Sequence, residues 1–351
     1  MPHPTRELLR RLPKTDLHVH LDGSVRPETL IELADEQGVA LPQRDAKRLR
    51  EYMHVRDARN LVDYLERFDV TLSVMQTPDA LERIAYELAE DAAAENVRYM
   101  EVRYSPVLNT RAGVPLTETV DAPVRGLRRA EQEFGIRTGV IICGIRNMSP
   151  ETSQDLAELT VAFKNRGVVA FDLAGAEYNY PAKKHKEAFY LVINQNMATT
   201  IHAGEAYGAE SIHQALHYCK ANRIGHGTRL FEDPELMQYV NDFRIPIEIC
   251  LTSNVQTRAV PSFAEHPLRL YYDEGIVVTL NTDNRLMSAT TVTEEYWRAH
   301  QHLDFTWEEL CDIALMGFQS AFLSYSDKAA LVAEVSEEIA ALSAELTASA
   351  R

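Results

Sequence analysis

Eight short apolar runs recur along the sequence, most of them separated by stretches of helical periodicity. They are Thr15–Leu21, Val97–Ser105, Arg137–Cys143, Val168–Ala174, Ala198–Ala203, Arg223–His226, Ile245–Cys250 and Ile276–Thr282. The segment Ala80–Ala94 shows the intervening pattern, with Leu81, Ile84, Ala85 and Leu88 on one helical face. Strands separated by helices cannot pair through tight hairpins, so they pair in parallel through crossovers. Eight such units in one undivided chain predict a parallel eight-stranded (β/α)8 TIM barrel, with its chemistry at the C-terminal ends of the strands. The competing architecture, an open doubly wound sheet, lacks its signature. No strand leads into GxGxxG, there is no GxxxxGK[ST], and GHGTRL at 225–230 has the wrong glycine spacing.

The 351 residues contain no repeat, Pro/Gly/Ser-rich linker or charge block, so a single domain over 1–351 is expected. Lys and Arg number 36 against 52 Asp and Glu, a formal charge of −16. That balance argues against nucleic acid, whose binders cluster Lys and Arg, and against anionic membrane surfaces. No stretch is long and apolar enough to span a bilayer, and the N-terminus has no apolar targeting segment. Cys143, Cys219, Cys250 and Cys311 are scattered and form no CxxC pair. They make neither a disulfide framework nor a zinc ribbon, and a cytoplasmic location is expected.

The strand ends carry an unusual set of residues. The first run contains His18 and His20, which share a face as i and i+2 and can bind one ion. An HxH pair also arises by chance. The fifth run leads into His202-Ala203-Gly204-Glu205, the sixth into Gly225-His226-Gly227, and the eighth into Thr282-Asp283-Asn284. Four strand ends bearing His or Asp beside small residues are hard to explain as core packing. Three His and one carboxylate would satisfy a zinc-type ion and leave a position for water. His213 and His217 lie i, i+4 on a helix, but Gln214 stands where HExxH needs Glu, so they read as an outer helix face. His3, His54, His185, His266, His300 and His302 fit no strand-end pattern and are expected to be solvated or helix-packing.

Seven strings, in order and over nearly the whole chain, resemble the adenosine deaminase family of the amidohydrolase superfamily. They are LPKTDLHVHLDG (12–23), EVRYSP (101–106), DLAG (172–175), HAGE (202–205), RIGHG (223–227), CLTSNVQT (250–257) and LNTDN (280–284). The resemblance implies hydrolytic deamination of adenosine and 2′-deoxyadenosine, with one Zn²⁺ per chain held by His18, His20, His202 and Asp283. It implies that His226 orients and helps to deprotonate the attacking water, assisted by Asp283. Glu205 would be a protonated acid delivering its proton to purine N1, Gly175 would offer a backbone contact to N3, and Asp22 would bind a ribose hydroxyl. One metal rather than two is expected, because the fourth run has no Lys to bridge a pair.

Asn284 departs from the family pattern, in which a second Asp is common. Purine N7 is an acceptor, and an Asn amide can donate to it at any pH. The stripe Leu61, Tyr64, Leu65, Phe68 has the i, i+3, i+4, i+7 spacing of a buried helix face. The resemblance gives Leu61, Leu65 and Phe68 a second reading, as a hydrophobic gate over the purine. Alternatives to adenosine are 5′-modified adenosines such as aminodeoxyfutalosine and, less favoured, free adenine, since the shorter Asp22 leaves room for a sugar. A non-catalytic nucleoside-binding relative is the alternative from another class. No partner beyond a small purine nucleoside is expected, and the oligomeric state is open.

Overall fold

The computed structural model describes residues 4–56, 58 and 60–349; His3 lies outside them. The strands are β1 (Lys14–His20), β2 (Val97–Tyr104), β3 (Arg137–Ile145), β4 (Val168–Ala174), β5 (Ala198–Ala203), β6 (Arg223–His226), β7 (Ile247–Ile249) and β8 (Val278–Leu280). They pair in sequence order, all parallel. The ring is drawn together just past β8. There the backbone of Asp283 bridges to β1, its N–H donating to the His18 carbonyl at 2.8 Å and its carbonyl accepting from His20 N–H at 2.7 Å. The expected (β/α)8 barrel is what the chain forms.

The helices cover the outside of the ring, and their starts are written in the sequence. Thr77-Pro78, Ser149-Pro150 and Asp233-Pro234 each open a helix. In each pair the first side chain accepts a backbone N–H three residues on, and the proline takes the position where no N–H is needed. The last two strands are shorter than their apolar runs. Cys250 turns into a helix over Leu251–Gln256, and Asp283 has a φ of +59° that no strand can continue. The stripe from Leu61 to Phe68 is not one helix either. Two short helices, Leu61–Leu65 and Phe68–Leu72, meet at a break there.

Barrel interiors of this class are usually filled by branched apolar side chains. This one holds charge. Arg103 and Arg223 are buried with Glu101, Asp172 and Glu248. Arg103 donates to Asp172 at 3.2 Å and to Glu248 at 3.0 Å; Arg223 donates to Glu248 at 2.7 Å and also to Glu101. Removing one member of such a set leaves its partners charged without compensation. Arg223→Met is therefore expected to lower the unfolding free energy by about 3–5 kcal/mol. Urea titration checks this, and an unchanged midpoint would show that the lattice relaxes without it.

Candidate metal and active site

The C-terminal strand ends bring the predicted residues together. Ligand atoms of His18, His202, His226 and Asp283 lie within 4.8 Å of one another. His20, also expected to hold the ion, places Nε2 3.1 Å from His202 Nε2 and 3.3 Å from Asp283 Oδ1. Parallel register explains the convergence: Ala203 stands beside His226 across β5 and β6, and Val19, between the two histidines of β1, stands beside Asp283.

The donor set fits one divalent ion. His18 Nε2 is 3.6 Å from Asp283 Oδ1, is buried, and has no hydrogen-bond partner. Atoms about 2.0–2.1 Å from a shared tetrahedral centre stand about 3.3 Å apart, which is the spacing found here. Two of the imidazoles are also aimed from behind. His18 Nδ1 lies 2.9 Å from Glu248, and His202 Nδ1 lies 3.0 Å from Asp172. A ring that donates its Nδ1–H to a carboxylate presents a lone pair at Nε2. Burial alone would raise Asp172, but the neighbouring His202 and Arg103 hold it well below the usual carboxylate range. Glu248 is likewise depressed, burial being outweighed by Arg103 and Arg223.

Glu205 follows β5 at the cavity wall. Its two oxygens lie 2.9 Å from Thr257 Oγ1 and 3.6 Å from His226 Nε2. Burial, together with nearby Asp283, raises its pKa. The loop carrying it is held from the side by Glu177, whose carboxylate accepts the backbone N–H groups of Gly204, Glu205, Ala206 and Tyr207 at 2.5–3.1 Å. Asp22 is buried and pushed up to about 7 by burial and by Asp283, and its Oδ1 has no hydrogen-bond partner, with His20 Nδ1 3.9 Å away. Asn284 packs against Gly23 so closely that a methyl group on Gly23 would lie 1.8 Å from the amide oxygen.

These groups line a cavity of about 300 Å³. His20, Asp22, Gly175, His202, Glu205, His226, Asp283 and Asn284 form its floor and walls, and Leu61, Tyr64, Leu65 and Phe68 also line it. The stripe is thus both packed and exposed to the cavity: Tyr64 is buried and bonded to Ser288, whereas Leu65 and Phe68 are half-buried. Arg111 is the only basic side chain besides the histidines among the described lining residues, and Asp69 stands 3.6 Å from it.

The profile of the adenosine deaminase family matches residues 13–338. The chain belongs to the adenosine deaminase family. The adenosine deaminase of Mycobacterium ulcerans is 39% identical over 350 residues, covering 95% of this chain and 96% of its own. Among solved structures, an amidohydrolase of Burkholderia ambifaria with bound Zn superposes with a TM-score of 0.89 at 27% identity, over 98% of this chain and 94% of that one. The adenine deaminase of Arthrobacter aurescens does so with 0.85 at 29% identity, over 93% and 98%. As a member of this family the chain is a hydrolase of C–N bonds, built on an amidohydrolase-type barrel with a His/Asp metal site.

Several residues of this deaminase site carried no role in the sequence. Arg103, Asp172, Asn254 and Thr257 lie inside the strings EVRYSP, DLAG and CLTSNVQT, so the signal was present but its meaning depends on contacts between strands. Glu248 and Glu177 lie outside those strings. Of the unassigned histidines, His213 and His217 were read as an outer helix face; both are half-buried on the helix Ala209–His217, with their rings tilted against each other. His54 and His300 are half-buried and His302 is exposed, but His185 is buried and hydrogen-bonded at both ring nitrogens, to Ser153 Oγ at 2.8 Å and the Arg146 carbonyl at 3.2 Å. His266 is neither solvated nor a simple packing residue: it is 3% exposed and bonds to Asn254 Oδ1 at 3.1 Å.

Asp172→Asn keeps the shape and removes the charge behind His202. Zn²⁺ affinity is expected to fall roughly 10–100-fold, measured by competition with a chromogenic chelator. Unchanged affinity would mean that Asp172 serves only the Arg103 lattice.

Proposed function

We propose that the chain is a mononuclear zinc enzyme that converts adenosine and 2′-deoxyadenosine to inosine and 2′-deoxyinosine. Water is consumed, the C6–N bond is broken, and ammonia leaves. The observation that carries this reading is a buried Glu205 of raised pKa, in one purine-sized cavity with converging His and Asp donors. His18, His20, His202 and Asp283 would hold the ion. A bound Zn²⁺ supplies a nucleophilic water at neutral pH and polarises what it touches.

The remaining chemistry belongs to the chain. Attack at C6 ends the aromaticity of the ring and drives electron density to N1. A protonated Glu205 aimed at N1 neutralises that charge as it forms, so its contribution is larger in the transition state than in the ground state. Asp283 and His226 would flank the attacking water, His226 orienting it and Asp283 taking its proton on the way to the leaving amine. The backbone of Gly175 would meet N3 and the Asn284 amide N7. Asp22 Oδ1, which has no hydrogen-bond partner, would accept from a ribose hydroxyl, which favours a nucleoside over the free base. Leu61, Leu65 and Phe68 would cover the purine and exclude water. Among the described lining residues a 5′-phosphate would find only Arg111, already faced by Asp69, so nucleotides would be poor substrates.

A panel of adenosine, deoxyadenosine, adenine, AMP and 5′-extended nucleosides, followed by loss of the adenine absorbance, tests the proposal. Adenosine and deoxyadenosine should lead; preference for adenine would overturn the specificity and leave the chemistry. Glu205 acts while protonated, so kcat/KM should fall as pH rises through its raised pKa. Glu205→Gln should remove that limb and lower kcat about 10²–10⁴-fold. Asn284→Asp should keep deamination but add an ionisation to the pH–rate profile, since an Asp must be protonated to donate to N7. An unchanged profile would count against contact at N7.

A further inference from the structure

A chain of buried hydrogen bonds runs from a backbone amide to His226, and each link has a fixed direction. The N–H of Leu268 donates to His266 Nδ1 at 3.1 Å. A backbone N–H can only donate, so Nδ1 of His266 carries no hydrogen. His266 is buried, and burial pushes it down to about 3, so the ring is neutral and its single hydrogen sits on Nε2. Nε2 lies 3.1 Å from Asn254 Oδ1 and donates to it. That fixes the Asn254 amide, since the oxygen faces His266 and the NH₂ faces the other way. Asn254 Nδ2 is 2.9 Å from His226 Nδ1 and donates there. Asn254 is fully buried, so no water competes for either end.

We propose that Asn254 and His266 are positioning residues that fix the tautomer of His226, with Nδ1 unprotonated and the hydrogen on the Nε2 that faces the site. In this form His226 offers a hydrogen-bond donor to the attacking oxygen and has no lone pair at Nε2 to take a proton or to bind the ion. Of the two groups that flank the water, Asp283 is then the one able to accept its proton. The contrast with His18 and His202 supports this assignment, because both of those rings meet a carboxylate at Nδ1 and turn a lone pair inward.

The inference rests on the proposed reaction only for its consequence, and the tautomer can be read without substrate. In ¹⁵N-labelled protein, metal-free and zinc-loaded, long-range ¹H–¹⁵N correlation should show His226 and His266 both protonated at Nε2. Their signals are assigned by loss in His226→Gln and His266→Leu. Asn254→Asp replaces the donor with an acceptor and should move the His226 hydrogen to Nδ1, with kcat falling roughly 10²-fold or more and KM for the nucleoside little changed. His266→Gln retains a donor towards Asn254 and should retain the tautomer, whereas His266→Leu should mix the two forms. A hydrogen on Nδ1 in the wild-type protein, or zinc ligation by His226 Nε2, would overturn the proposal even where the enzyme is active. So would full activity of Asn254→Asp with an inverted tautomer. A correct tautomer in a protein that deaminates no nucleoside would instead overturn the functional reading and leave the relay standing.

Discussion

Arg103 holds the site together from below. One guanidinium nitrogen reaches Asp172 and the other Glu248, and those two carboxylates aim the imidazoles of His202 and His18. Counted with Arg223, Glu101 and Asp283, the buried set comprises two fixed positive charges and four carboxylates. It is short of two positive charges, the deficit a divalent ion would fill. Such a lattice is a poor way to stabilise a barrel, because desolvating charge offsets most of the attraction gained. Its presence where branched apolar residues normally pack is best understood as support for the His/Asp metal site above it.

Closing the barrel and completing the site are the same event. The segment just past β8 reaches back to β1 through Asp283, whose backbone bonds to His18 and His20 while its side chain faces the same two residues. Asp283 and His226 both adopt positive φ, at +59° and +65°. Non-glycine residues are rarely held there unless the surroundings over-determine them, and such positions gather at functional sites.

Much of this was legible in the linear pattern. The alternation of runs predicted the barrel, and His18, His20, His202, Glu205, His226 and Asp283 announced themselves by sitting at strand ends beside small residues. What lay hidden was the support, for a physical reason. Asp172 and Glu248 matter because neighbouring strands place them behind particular rings, and sequence spacing within one strand says nothing about that. His266 was misjudged because its partner, Asn254, is twelve positions away on another element. The stripe from Leu61 to Phe68 had correct helical spacing, yet the helix breaks between Leu65 and Phe68, a break that the periodicity did not announce.

The partners behind the rings sort the histidines by task. A carboxylate at Nδ1 draws the ring hydrogen to the back and leaves Nε2 a lone pair, the form a metal ligand needs; His18 and His202 have that partner. A carboxamide at Nδ1 can supply a hydrogen there, which leaves the ring's own hydrogen at the front. His226 is given that partner in Asn254. The three ring centroids lie within 5.2 Å of one another, edge-on or tilted, and the side chains are chemically identical, so neither distance nor burial separates them. The difference between an oxygen and an NH₂ behind each ring does. Exchanging Asp for Asn in such a barrel changes little volume, but it reverses the direction of a hydrogen bond, and under the proposed reaction that would decide which imidazoles face an ion as bases and which faces the reacting oxygen as a donor.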